Sequence, residues 1–286
     1  MTTSLVILAA GRARRYGGIK PLAPIGPHDE PVIDLLVGDA VRAGFTSIVL
    51  VINPTTGPMI QEHVKSAWPD YIDVRFALQA EPHGTVHAVL AARDHVDPTR
   101  PFGVANADDL YGVDALQILA RHLGASNSNA LVGFELANAI VGTDPVTRGV
   151  CDVEGDRLTS IAERRRVAFT NGHYLADDDV EPAHLDPTSL VSMNLWGFAA
   201  DMWGLFDDVM ASVASSADAE VLLPDVIGQL IKGEIGAANA SLSEITVLTT
   251  DARCVGVTHP GDLLVVKADI AKQIAQGERP LTPFGS

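Results

Sequence analysis

Cysteine is scarce in this chain. Cys151 and Cys254 are the two in 286 residues, too few for a disulfide framework or a four-thiolate zinc site. Free thiols in a reducing compartment are expected over a single bridge. Basic residues are also short: 20 Lys and Arg stand against 36 Asp and Glu, a formal net charge of −16. Affinity for nucleic acid and for anionic lipid comes largely from Lys and Arg, so neither is expected as a partner. A nucleotide stays possible, because a local basic cluster can oppose the global charge. No apolar run approaches the roughly 18 residues that cross a bilayer. The start, MTTSLVIL, has no basic n-region and runs into a glycine turn, so no signal peptide is expected. Together these absences predict a cytoplasmic protein.

Several catalytic signatures are missing too. There is no His-Glu-x-x-His zinc helix and no G-x-S-x-G elbow. The Walker lysine followed by Ser or Thr is absent, as is the Rossmann glycine triplet. No hexapeptide repeat follows, so no appended β-helix acetyltransferase domain is expected. What the chain does have is hydrophobic residues, 47% of the total. That suffices for a core and excludes global disorder.

The hydrophobic pattern alternates in type along the chain. Residues 5–9 and 47–52 are short apolar runs without polar alternation, as in strands buried on both faces of a parallel sheet. Between them, residues 33–43 carry apolar residues at helical spacing and end before Gly44, a C-cap glycine. The alternation continues with helices at 58–67, 85–95 and 113–123 and strands at 73–78, 102–105 and 130–136. It predicts a three-layer α/β/α sandwich, Rossmann-like, with a mixed, mostly parallel sheet. Further on, 148–153 and 158–161 read as a hairpin around Glu154-Gly155-Asp156. Strands are expected at 192–198 and 246–248, helices at 225–232 and 262–276, and a mobile acidic loop at 176–188. No internal repeat or linker divides the chain, so residues 1–286 are read as one domain.

The most informative stretch leaves the first strand: Leu8-Ala9-Ala10-Gly11-Arg12-Ala13-Arg14-Arg15-Tyr16-Gly17-Gly18-Ile19-Lys20-Pro21-Leu22. It lies at the carboxyl edge of the expected sheet, where α/β folds bind ligands. Small residues let the backbone approach a ligand, and consecutive N–H groups can form an anion nest. Arg12, Arg14, Arg15 and Lys20 reverse the local charge, as a polyphosphate site would; on the residues alone a solvated basic loop reads equally well. Further along, Gln79 and the turn Gly84-Thr85 precede a helix that Thr85 is placed to cap. Val104-Ala-Asn106-Ala-Asp108-Asp109 ends a buried strand with two carboxylates.

These segments together resemble the sugar-phosphate nucleotidyltransferases. Leu8 to Leu22 is similar to that family's L-A-A-G-x-G-x-R signature followed by a lysine before Pro-Leu, with Ala13 at the second glycine. Gln79 to Ala88 resembles the Q-x-x-x-x-G-T-x-x-A segment, Ser160 to Arg164 the segment whose Glu contacts sugar hydroxyls, and Leu190 to Phe198 the strand lining the sugar pocket. The resemblance implies a nucleotidyltransferase fold and an enzyme that joins an NTP to a sugar 1-phosphate, releasing pyrophosphate. It implies Arg15, Lys20 and Asp108 as catalytic residues, with Asp108 holding Mg²⁺. Ala10, Gly11, Arg12, Gln79, Gly84, Thr85, Asp109, Glu163 and Asn194 are implied contacts to nucleotide or acceptor. A glutamine amide suits a pyrimidine edge, which leans toward UTP or dTTP. Arg164, Arg165 and Arg166 are read as a charged face or a phosphate site. The family's second metal aspartate has no match, because Gly256 or Val257 stands at its place; either Asp251 or Asp262 substitutes for it, or the metal relies on Asp108 and the substrate phosphates alone. The open alternatives are a non-sugar acceptor (a cyclitol or polyol phosphate, phosphocholine or a molybdopterin) and a non-catalytic homologue.

Overall fold

The structure, a computed structural model, describes residues 3–11, 18–140, 142, 144–213, 220–236, 240–256 and 261–285. Strand β1 (Ser4–Leu8) is followed by a 3₁₀ turn (Lys20–Leu22) and helix α1 (Val32–Ala43). There follow β2 (Ser47–Ile52), α2 (Gly57–Ala67), β3 (Val74–Leu78) and α3 (Thr85–Ala91). Next come β4 (Phe102–Asn106), the two-residue β5 (Asp109–Leu110), α4 (Val113–Ala125), β6 (Asn129–Glu135) and α5 (Leu136–Ala139). The second half holds β7 (Val146–Glu154), β8 (Arg157–Thr170), β9 (His173–Leu175), β10 (His184–Leu185) and β11 (Leu190–Phe198). Helices α6 (Met202–Val213) and α7 (Leu223–Ile231) precede β12 (Ile245–Thr250), β13 (Val255–Gly256) and α8 (Asp262–Ala275).

One mixed sheet of 11 strands runs in the order β10-β9-β8-β12-β6-β11-β4-β1-β2-β3, with β7 paired to β8 and β11. Its parallel part is β4-β1-β2-β3, together with the pair β6-β12. Strand β11 enters antiparallel between β4 and β6. The four parallel strands send their carboxyl ends to one edge. The segments 9–11, 53–56, 79–84 and 106–109 therefore meet there, at the position where open α/β sheets take ligands.

The layers follow from the pattern in the strands. In β1 and the residues after it, Leu5, Ile7 and Ala9 join one core while Val6 and Ala10 join the other. In β2, Ile48, Leu50 and Ile52 face the first core and Val49 and Val51 the second. Successive side chains of a strand point to opposite faces, so an unbroken apolar run needs cover on both. Apolar residues of α1, α2, α4 and α8 supply the first core, and those of α3, α6 and α7 the second. Truncating one of these fully buried residues to Ala costs about 2–5 kcal/mol. Cys254 sits in the first core and Cys151 in the second, both as free thiols.

The elements expected from periodicity are present with small shifts. Gly44 is the C-cap of α1 at φ 104°, the left-handed region that glycine reaches without strain. The helix expected over 85–95 ends at Ala91 and continues as a 3₁₀ turn at Arg93–His95. Three features depart from expectation. Strand β8 runs far past residue 161, through three consecutive arginines, to Thr170. Segment 176–188, expected as a mobile loop, contains β10 and is clamped by a buried ion pair. Thr85 does not cap α3: Gly84 is the N-cap, and the Thr85 hydroxyl instead accepts from the backbone N–H of Leu223 at 2.8 Å. The residues after α8 pack back onto α1 and α2. Arg279 there pairs with the fully buried Asp39, Nη1 to Oδ1 at 2.9 Å, and Phe284 lies against Trp68.

Candidate functional site

Two cavities open along the shared strand edge and meet at Asn106 and Asp108. The larger, about 450 Å³, is lined by Leu8, Ala10 and Gly11 after β1, by Gln79, Pro82, Gly84 and Thr85, and by Glu220 and Leu222. The smaller, about 220 Å³, is lined by Asp108, Asp109, Thr147, Arg148, Gly149, Glu163, Ser192 and Asn194. A third cavity, about 560 Å³, shares Ala10, Gly11, Gln79 and Pro82 with the first and reaches Asn53, Thr55 and Lys20.

Lys20 opens the 3₁₀ turn after the basic loop, and its Nζ lies 3.1 Å from Asp108 Oδ2. Neither partner is deeply buried, so the pair is worth about 0.2–1 kcal/mol. Its significance is positional, since it brings the only basic side chain among the described residues of the loop to the end of β4. Arg12 and Arg15 lie outside the described residues.

Gln79 is buried. Its Nε2 donates to the Gly84 carbonyl at 3.0 Å and lies 3.3 Å from His87 Nδ1. Gly84 has φ 92°, and a Cβ there would fall 2.3 Å from the Val221 carbonyl oxygen. The glycine is thus needed for the close approach of segment 221–223, which is tied to it by the bonds Val221 N–H to His83 O and Val86 N–H to Val221 O. Segment 220–224 was not singled out from sequence, although Glu220 and Leu222 wall the larger cavity and Pro224 the smaller. Asn53 was also missed. Its Nδ2 donates to the Ala10 carbonyl at 3.0 Å, and its Oδ1 accepts from the backbone N–H groups of Thr55 and Thr56, each at 2.8 Å. One side chain thus fixes the start of the glycine turn. The readable signal was an Asn-Pro turn at the carboxyl end of a buried strand.

The smaller cavity is built on an irregular strand. The β11 register against β6 shifts between Ser192 and Trp196, and Asn194 sits there at φ 57°. Asparagine tolerates this left-handed backbone better than most residues. Its Oδ1 accepts from Trp196 Nε1 at 3.1 Å, and its backbone N–H donates to Ser192 Oγ at 3.2 Å. Tyr111 ties this bulge to β4: its hydroxyl donates to the Met193 carbonyl at 3.0 Å and accepts from the Asn106 backbone N–H at 2.9 Å. Asn106 Nδ2 in turn donates to Asp109 Oδ2 at 3.0 Å. Burial, then the neighbouring Asp108 carboxylate, pushes Asp109 up to about 7; Asn106, Arg148 and Lys20 oppose the rise.

Arg148 is the second residue missed. Its guanidinium donates to the carbonyls of Ala139 and Thr147, which holds it rigidly at the cavity wall. Glu163 also lines this cavity, whereas Arg164 does not. The Arg164 guanidinium is buried against Asp178, Nε to Oδ2 at 2.9 Å and Nη2 to Oδ1 at 3.0 Å, and donates further to the carbonyls of Val180 and Pro182. A phosphate site at Arg164 is therefore ruled out: its donors are spent on the chain itself. Arg165 and Arg166 are exposed and pair with Glu163 and Asp177. Asp251 lines a different cavity, beside Gly112 and Arg253, and Asp262 stands in the first turn of α8. Neither lines the cavity of Asp108. Among the described residues, no three His, Cys, Asp or Glu side chains converge as a protein-only metal site.

The chain is similar to known proteins. Bifunctional protein GlmU of Sinorhizobium medicae is 30% identical over 191 residues, 62% of this chain and 39% of that protein. Glucose-1-phosphate thymidylyltransferase of Mycolicibacterium smegmatis is 23% identical over 185 residues, 61% of each. The matched part thus spans less than two thirds of either relative. Among solved structures, a UDP-glucose pyrophosphorylase complexed with UDP-glucose superposes with a TM-score of 0.66 at 17% identity, covering 96% of this chain and 100% of that one. The inositol-1-phosphate CTP transferase of T. maritima gives 0.66 at 11% identity over 95% and 97%. At these identities the superpositions establish the fold. Residues 4–163, more than half of the chain, match the model of the family described as Nucleotidyl transferase, and the chain belongs to that family.

Proposed function

We propose that the chain transfers a nucleotidyl group from an NTP to a sugar 1-phosphate and releases pyrophosphate. The observation that carries this reading is the junction of two cavities at Asn106 and Asp108, with Lys20 held on Asp108. A reaction that joins two phosphorylated substrates needs two adjoining pockets and positive charge where they meet.

The nucleoside is assigned to the larger cavity, over Ala10 and Gly11 and against Gln79, Gly84 and Thr85. One N–H of Gln79 is committed to the Gly84 carbonyl, and Gln79 offers its oxygen, an acceptor that suits the N3–H of uracil or thymine. The triphosphate is assigned to the stretch of sequence from Gly11 to Lys20, which carries Arg12 and Arg15. The acceptor is assigned to the smaller cavity. Asn194 has its oxygen engaged by Trp196, which leaves its N–H groups to donate to a hydroxyl, and Glu163 offers acceptors for another.

The acceptor phosphate oxygen attacks the α-phosphorus in line, a new P–O bond forms, and the bond to pyrophosphate breaks. No covalent enzyme intermediate is needed. Catalysis is then positioning and charge neutralisation. The family implies Mg²⁺, and the residues fit one: the Asp108 carboxylate already attracts the Lys20 ammonium, and hard oxygen donors suit the ion. Mg²⁺ supplies neutralisation of phosphate charge. Asp108 would hold it, with phosphate oxygens and water completing the shell, as is usual for this cation.

The test is pyrophosphate release across the four NTPs and dTTP, each with a panel of sugar 1-phosphates, cyclitol and polyol phosphates and phosphocholine. The expected result is release with a sugar 1-phosphate and UTP or dTTP. Release only with a non-sugar acceptor would transfer the assignment to that acceptor, and no release with any pair would mark a non-catalytic homologue.

A further inference from the structure

Strands β5 and β13 form a small bridge outside the main sheet. Its register pairs Gly256 with Asp109 and Val255 with Leu110. A Cβ built on Gly256 falls 2.1 Å from Asp109 Oδ1 and 3.3 Å from its Cγ. The Asp109 carboxylate therefore occupies the volume that a side chain at position 256 would take. Packed interiors do not hold two groups in one such space.

Gly256 is also one of the two positions, with Val257, at which the resemblance expects a second metal-binding aspartate. We infer that this chain supplies that carboxylate from the opposite strand of the bridge: Asp109 is the second protein ligand of the divalent cation, and Gly256 is the vacancy that admits it. The inference rests on the nucleotidyltransferase reading of the site.

Three further observations support it. Neighbouring residues of an extended strand point to opposite faces, yet Asp108 and Asp109 line one cavity. The turn at 107–108 between β4 and β5 redirects the chain and brings both carboxylates to that cavity. Asp109 is oriented by the amide of Asn106 at 3.0 Å, the kind of outer hydrogen bond that fixes a ligating carboxylate. The other candidates, Asp251 and Asp262, do not line this cavity. Two carboxylates plus phosphate oxygens is an ordinary donor set for Mg²⁺.

The experiment measures Mn²⁺ affinity by electron paramagnetic resonance on the full chain, with a non-hydrolysable NTP analogue present. Nucleotide affinity in EDTA and the thermal midpoint are measured alongside. Asp109→Asn is expected to weaken Mn²⁺ binding by more than about 10-fold, as loss of a ligand or its support does, with metal-free nucleotide binding unchanged. The double variant Asp109→Gly with Gly256→Asp, which moves the carboxylate across the bridge, is expected to recover most of that loss. Wild-type Mn²⁺ affinity in Asp109→Asn overturns the inference, as does a folded double variant that binds no better than Asp109→Asn. If Asp109→Asn does not fold, Gly256→Ala decides. Its added Cβ displaces the carboxylate with every charge retained, so weakened Mn²⁺ binding supports the inference and unchanged binding overturns it. A wild-type chain that binds neither nucleotide nor Mn²⁺ would instead remove the nucleotidyltransferase reading.

Discussion

Lys20 and Asn53 do different work on the same loop. Lys20 carries charge to the end of β4, where it meets Asp108. A preorganised charged donor of this kind is worth roughly 10²–10³ in kcat. Lys20→Ala is therefore expected to lose turnover on that scale with an unchanged melting curve, and steady-state kinetics with the preferred substrate pair checks it. Asn53 carries no charge and touches no phosphate by this account. It holds the Ala10 carbonyl, so its removal loosens the nucleotide turn. One hydrogen bond is worth about 0.5–1.5 kcal/mol net, so Asn53→Ala is expected to raise KM for the NTP roughly 3- to 10-fold. Asn53→Asp keeps the acceptor for Thr55 and Thr56 but loses the donor to Ala10, and it should resemble the alanine variant. An effect on kcat alone would contradict the positioning role.

The legibility of the sequence also divides by residue. Lys20, Gln79, Asp108, Asp109, Glu163 and Asn194 could be read because each belongs to a contiguous motif, and all six line the cavities described. Arg148 and Glu220 could not, and Asn53 could be read only as part of an Asn-Pro turn. Their roles depend on which segments the sheet order brings together, and nothing local records that Asn53 reaches Ala10, 43 residues earlier. Arg164 misled for the opposite reason. Three arginines in a row read as a solvated face, but the strand alternation buries the first, and Asp178, 14 residues on, neutralises it.

At the level of elements, that ion pair holds segment 176–185 on β8. The Arg164 side chain, then backbone N–H groups, holds the Asp178 carboxyl well below its ordinary range. A depressed carboxyl contributes stability that is complete above its unfolded value, about 4, and is lost as pH falls through the lower folded value. Hydrogen exchange in 176–185 is expected to stay slow through neutral pH and at pH 4, then to rise at lower pH. In Asp178→Asn exchange should be fast already at pH 7. Equal protection in both proteins at pH 7 would show that the pair does not clamp the segment. The residues after α8 are held comparably. Arg279 meets Asp39 in the core, and Arg42 joins it from α1. Breaking a buried pair by removing one partner costs about 3–5 kcal/mol. Arg279→Ala is expected to lose stability on that scale in urea unfolding, while an effect below about 1 kcal/mol would mean that Arg42 and water suffice.

Across the molecule, the sheet explains why one edge is functional. Strands β1 to β4 run parallel, and β1 and β2 were read from unbroken apolar runs, because burial on both faces leaves a plain signal. The antiparallel additions were harder to read. Bridge β5-β13 has two residues on each side, below the length at which periodicity exists. The β11 bulge at Asn194 erases the alternation along one wall of the smaller cavity. The parallel strands thus line the larger cavity and the antiparallel ones the smaller, and Asp108 lies at the boundary of the two.

That boundary position is the central claim, and Asp108→Asn tests it most directly. The substitution keeps the shape of the side chain and removes its charge. Pyrophosphate release is measured with saturating substrates and Mg²⁺, and NTP affinity is measured in EDTA on the same protein. The account predicts that turnover falls by at least roughly 10²-fold while metal-free NTP binding stays within a few-fold of wild type, since residues 8–11 and 79–85 make those contacts. A folded Asp108→Asn protein that releases pyrophosphate at the wild-type rate would contradict it.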